Sequence, residues 1–119
     1  MEAPILKQGK VLVATIQAGL SDTDLLELRN ALVQQVVRFR STGVILDVTA
    51  MDVMDSFATR TLLEIAQIIR LRGVATVVVG IQPEVAFAMV QLGLTLEDIP
   101  AALDLEEGLA YLQESKPSD

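Results

Sequence analysis

The stretch "AMDVMDSFATR", Ala50 to Arg60, gathers most of the residues in this chain whose types could do chemistry. Ser56 follows Asp55 directly, Asp52 lies just upstream, and Thr59 stands three residues on, where an apolar run gives way to a helical pattern. Ser56 therefore has two readings. It is a helix cap, whose oxygen accepts a bond from an orphan backbone N–H for about 1 kcal/mol, or it is the working residue. Asp55 offers an alternative cap, which would put Ser56 at the first helical position. In either case the hydroxyl belongs at a helix N-terminus beside a loop.

A serine nucleophile needs a base, normally histidine or lysine. The sequence has no histidine and no cysteine, and its lysines are Lys7, Lys10 and Lys116, near the two ends. "MDSFA" also lacks the glycines of a nucleophile elbow. Serine hydrolysis, thiol chemistry, disulfides and imidazole-based metal sites are all excluded by composition. Asp47 or Asp52 as the phosphoacceptor of a receiver domain would require an acidic pair after the first buried strand and a lysine near the last. The first position reads "TIQAG" and the second has no lysine. Asp47, Asp52 and Asp55 have the oxygens a hard cation prefers, but their spacing matches no EF-hand loop, and a solvated acidic rim is the simpler reading. "GVATVVVGIQP" has neither G-x-G-x-x-G nor a Walker lysine. No metal and no cofactor are expected, and the chain is not expected to be an enzyme.

A hydroxyl without a base of its own can still be the substrate of another enzyme. A phosphate on Ser56 would place about two negative charges at a helix N-terminus, which the helix dipole favours. It would also stand beside Asp52 and Asp55 and change any surface docked there. That describes a binding switch.

The elements that would carry this residue follow from hydrophobic patterning. The chain has 119 residues, of which 51% are hydrophobic and 21% charged, which suits one compact domain with a substantial core. Apolar runs such as "TVVVGI" fall well short of the ~20 residues of a membrane span. The start "MEAPILKQGK" has no signal-peptide pattern, so a cytoplasmic location is expected. Nine basic and sixteen acidic residues give a net charge of −7, which disfavours nucleic acid and anionic membrane as partners.

"PIL" and "KQGK" read as a short strand and a tight turn around Gly9, pairing antiparallel with the β-branched run from Val11 to Gln17. Ser21 caps an amphipathic helix with Asp22 and Asp24 in its first turn, running to about Arg40. A strand from Val44 to Thr49 follows, then a helix from about Ser56 to Arg72 with Ala58, Leu62, Ile65 and Ile69 on its inner stripe and Gly73 at its end. "VATVVVG" is a third buried strand, and a short helix has Pro83 in its first turn and Gly93 just past its end. "AALDL" holds a last strand, and Leu105 to Gln113 a final helix. Arg60, Glu64 and Arg70 read as a solvated outer face, and Thr59 and Thr61 as ordinary helical threonines, Thr59 exposed. The alternation implies a mixed α/β sheet of about five strands, four of them parallel, with about four flanking helices. In such sheets functional surfaces lie outside the carboxyl ends of the strands, here Ala18 to Leu20, Ala50 to Asp55, and Gly80 to Pro83.

Two blocks, "ILDVTAMDVMDSFATRTLLE" and "LRGVATVVVGIQPEVAFAMVQLG", resemble the STAS domains of bacterial anti-sigma-factor antagonists, and those of the stressosome most of all. The pattern is an apolar strand, a loop ending "MDS", a helix, and a strand ending "GI-x-PE". The resemblance covers nearly the whole chain and implies a STAS domain over 1–115 with a frayed tail at 116–119. It also implies a cytoplasmic, non-catalytic partner-switching role. Ser56 would be phosphorylated by a serine/threonine switch kinase, with Asp52, Asp55 and Phe57 in the kinase-docking surface and a phosphatase restoring the unmodified state. Thr59, one turn on, is a possible secondary phosphorylation site, and Thr61 a further one.

Departures from the family pattern narrow the subtype. The sporulation-type antagonists have a second serine and a glycine where this chain has Phe57 and Ala58. The stressosome sensor paralogues have a long N-terminal sensing domain that this sequence lacks, and a threonine in the "PE" helix where it has Ala88 or an apolar neighbour. The expectation is the small scaffold antagonist, which co-assembles with sensor paralogues and holds the kinase until Ser56 is phosphorylated. Two other readings stay open: a STAS module binding a nucleotide or lipid in the rim cleft, and a scaffold whose Ser56 is never modified.

Overall fold

The computed structural model describes residues 5–51, 56–91, 93 and 99–114. Nine elements follow one another in the expected order. They are β1 (Ile5–Gln8), β2 (Val11–Thr15), α1 (Asp22–Phe39), β3 (Gly43–Asp47), α2 (Ser56–Leu71), β4 (Ala75–Val79), α3 (Pro83–Gln91), β5 (Ala101–Ala102) and α4 (Leu105–Glu114). The sheet order is β1-β2-β3-β4-β5, with β1 antiparallel to β2 and every other pair parallel. Gly9 makes the β1–β2 turn at φ 62°, a left-handed conformation that costs glycine nothing.

Strand alternation divides the core in two. Leu12, Ala14, Val44, Leu46 and Val78 face the layer of α1, α2 and α3. The alternate residues Val13, Ile45, Val77 and Val79 meet Leu112 of α4 on the opposite face. α4 sits close because it carries a glycine there: a Cβ at Gly108 would stand 2.6 Å from Val79 Cγ1.

Two sequence boundaries shift for the same reason. The Val11–Gln17 run pairs only to Thr15 and the Val44–Thr49 run only to Asp47, yet Ile16 and Val48 just beyond are fully buried. Their amides bond to Asp47 O at 2.8 Å and Val79 O at 3.0 Å. Burial outlasts the ladder, so an apolar run overstates a strand.

Ser21 begins α1 with a capping box. Its Oγ accepts from the Asp24 amide at 3.1 Å, while its own amide donates to Asp24 Oδ2 at 3.1 Å. Ser21→Ala should cost about 1 kcal/mol and lower the melting temperature by about 4 °C, readable by calorimetry. α2 ends with the Val74 amide reaching Ile69 O and Gly73, at φ 82°, bonding Arg70 O, the pattern of a Schellman stop. The tail from Ser115 and the exact 1–115 boundary lie outside the described residues.

Candidate functional site

The carboxyl ends of β2, β3 and β4 form a rim from which α1, α2 and α3 depart. Ser56 is the first residue of α2 and is exposed, and Phe57 beside it is 37% exposed. Which residue caps α2 turns on Asp55, outside the described residues. Asp52 and Asp55, placed in the docking surface by the family resemblance, lie outside the described residues. The first turn of α2 itself holds no acidic residue.

The stem of the loop leading to Ser56 is tied down at Thr49. Asp47, the last residue of β3, accepts from the Thr49 amide at 3.0 Å and from the Thr49 hydroxyl at 2.6 Å. From the next crossover, Gln82 Nε2 donates to Thr49 O at 2.8 Å. Gly80, at φ 79°, packs so tightly on this corner that a Cβ would overlap the Thr49 hydroxyl. Asp47 thus anchors a turn, and among the described residues no group of three or more carboxylates is placed to hold a metal. Hydrophobic patterning does not reveal this clamp. The aspartate two residues before Thr49, a common turn-forming arrangement, was the available signal.

Thr59 departs from expectation. It is 2% exposed and Thr61 5% exposed, so neither hydroxyl lies on the surface. α2 buries a broad arc, with Ala58, Thr59, Thr61 and Leu62 all buried, because it packs against both the sheet and α1 while Thr59 and Leu62 also line a cleft shared with α3. A kinase could reach Thr59 only by opening α2. Arg60, Glu64 and Arg70 are exposed as expected, with Glu64 accepting from Arg29 Nη1 of α1 at 2.9 Å.

The α2–α3 cleft is lined by Val48, Leu62, Val78, Ile81, Met89 and Ile99, with a free volume of about 20 Å³. That is room for about one water, and far below the hundreds of Å³ of a typical ligand pocket. Outside it, α3 exposes Phe87 and Val90, each 74% accessible. Hydrophobic patterning alone does not single out this pair. "VAFAMV" holds more apolar residues than one buried helix stripe can absorb.

The family model for the STAS domain matches residues 2–108. The chain belongs to the STAS domain family. This STAS domain is 26% identical over 110 residues to the RsbT co-antagonist protein RsbRA of Bacillus subtilis, covering 92% of the chain and 40% of that protein. It is 32% identical over 76 residues to RsbRC of the same organism, covering 64% of the chain and 27% of that protein. It therefore spans less than half the length of these relatives. Among solved structures, RsbS of Moorella thermoacetica, in a serine-to-glutamate variant, superposes at TM-score 0.85 with 32% identity, covering 96% of this chain and 97% of that one. A chain from the molecular architecture of the stressosome, described as a signal integration and transduction hub, matches at TM-score 0.80 and 32% identity, over 93% and 96% of the two chains. The anti-sigma factor antagonist SpoIIAA shares the fold at TM-score 0.71 and 12% identity. The mixed five-stranded sheet read from patterning and the STAS fold implied by the resemblance are both observed. Among the described residues, no helix of this STAS domain is long and apolar enough to cross a membrane.

Proposed function

We propose that this STAS domain is a stressosome scaffold antagonist that binds a serine/threonine switch kinase and releases it when Ser56 is phosphorylated. The observation that carries the reading is the exposed Ser56 hydroxyl at the start of α2, on the carboxyl rim of the sheet, with no acidic residue in the helix's first turn. The helix N-terminus tolerates the phosphate, so the fold survives the modification while the docking surface changes charge.

Phe57, Phe87 and Val90, exposed on the two helices that share one cleft, supply the apolar contacts a protein partner needs. Asp52 and Asp55 complete the docking surface, and a phosphatase acting on phosphoserine resets it. The likeness to RsbS, 32% identical and covering 97% of that chain, supports the scaffold role beside sensor paralogues in a cytoplasmic hetero-oligomer. The α2–α3 cleft, at about 20 Å³, is too small to hold a nucleotide or lipid.

The test is co-elution on size exclusion. Unmodified chain and kinase should elute together with ADP and separate after ATP is added. A complex that persists in ATP, with Ser56 phosphorylated, would refute the release step.

A further inference from the structure

Because each crossover helix runs back antiparallel to the strands, every helix N-terminus lies at the carboxyl end of the sheet. The C-termini of α1 and α2 lie at the amino end. Local helix energetics favour acids in first turns and bases in last turns. The chain follows that rule, with Asp22 and Asp24 opening α1, Glu84 opening α3 and Glu106 and Glu107 opening α4, while Arg38 and Arg70 close α1 and α2. The parallel stacking sums these placements into one molecular polarity. Of nine basic residues, six stand at the amino end of the sheet: Lys7, Lys10, Arg38, Arg40, Arg70 and Arg72. The strand register fixes this end, since Gln8, Val11, Gly43 and Ala75 align in its last row. Glu114, closing α4, is a carboxylate at that same end, since Leu112 packs on Gly43.

Each pole also has an exposed leucine flanked by its own sign of charge. Leu71, 88% exposed, sits between Arg70 and Arg72. Leu103, 81% exposed, precedes Asp104, Glu106 and Glu107. At the basic pole Phe39 adds an aromatic face, with Lys7 Nζ 4.9 Å and Arg38 Cζ 5.5 Å from its ring centre. The 18 residues of α1 separate the poles by about 27 Å. The Debye length at physiological salt is only about 8 Å. Each pole therefore presents its own sign locally, whatever the net charge of the whole chain.

We propose that the basic pole docks a second copy of this chain head to tail, with Leu71, Arg40 and Arg72 meeting Leu103, Glu106 and Glu107 of the next copy. The fit is of charge and of apolar centre alike. Such a contact uses two different patches, so it extends into rings or filaments rather than stopping at a symmetric dimer. It does not rest on the phosphorylation of Ser56.

Sedimentation velocity of the full chain tests it. Association at about 0.15 M salt should weaken at least about tenfold at about 1 M, where the Debye length is about 3 Å. Arg40→Glu with Arg72→Glu gives a chain with two acidic poles, and Glu106→Lys with Glu107→Lys gives one with two basic poles. Each alone should remain monomeric, and an equimolar mixture should associate again, a rescue that misfolding cannot produce. A wild-type chain monomeric at about 0.15 M salt, or reversed variants that self-associate as the wild type does, would overturn the proposal. Capture of the monomeric wild type by anionic vesicles or nucleic acid through these same arginines would overturn it too, by giving the pole a different partner.

Discussion

Ser56→Ala is expected to stay bound to the switch kinase in ATP, where the wild-type chain is expected to be phosphorylated and let go. The substitution removes the hydroxyl at the first position of α2 and leaves the exposed apolar residues Phe57, Phe87 and Val90 in place. Affinity without ATP should therefore stay within a few-fold of wild type. Phosphorylation of the wild type adds about two charges at the rim. Like charges forced together at an interface cost several kcal/mol, and each 1.4 kcal/mol is tenfold. Release should correspond to at least about a hundredfold loss of affinity, measurable by titration calorimetry with chemically phosphorylated chain. Ser56→Asp carries about half the charge of phosphoserine, so partial weakening is the expected outcome there.

Gly80→Ala is expected to be among the most damaging single-methyl additions to the fold. At φ 79° an L-residue is strained by about 1–2 kcal/mol. The new Cβ would also overlap the Thr49 hydroxyl and stand 2.9 Å from Thr49 Cβ and 3.0 Å from its Cα. Overpacking of this kind adds about 1–3 kcal/mol. The sum, about 3 kcal/mol, should lower the melting temperature by about 10 °C. Gly19→Ala is the control, because Gly19 has φ 77° with nothing within 4 Å and so reports the backbone cost alone. If both substitutions cost the same, the contact with Thr49 is unimportant. Because Thr49 begins the loop to Ser56, the Gly80 variant should also slow phosphorylation under conditions where it remains folded.

The order of strands and helices was legible because buried parallel strands read as β-branched apolar runs and the helices between them as three- and four-residue apolar steps. Ser21 with Asp24, and Gly73 after Arg72, marked their helix ends through side-chain and backbone chemistry that a sequence displays directly. What was illegible depended on third parties. Thr59 read as exposed because one stripe, Ala58, Leu62, Ile65 and Ile69, accounted for a helix lying on a sheet, and nothing local said that α2 would also share a cleft with α3. Gly80 was visible as a rim residue, but its contact with Thr49 joins positions 31 residues apart and exists only once β3 and β4 pair in register. The charge polarity was present in the sequence residue by residue, and became a surface only when the parallel topology aligned the helices.

Intact-protein mass spectrometry with peptide mapping, after incubation with the switch kinase and ATP, tests whether Ser56 is the switch. The expected result is a single phosphate on Ser56, appearing in step with loss of the kinase from the complex. An unmodified chain, or a phosphate confined to Thr59 or Thr61, would contradict it and return Ser56 to the role of a residue that only starts a helix.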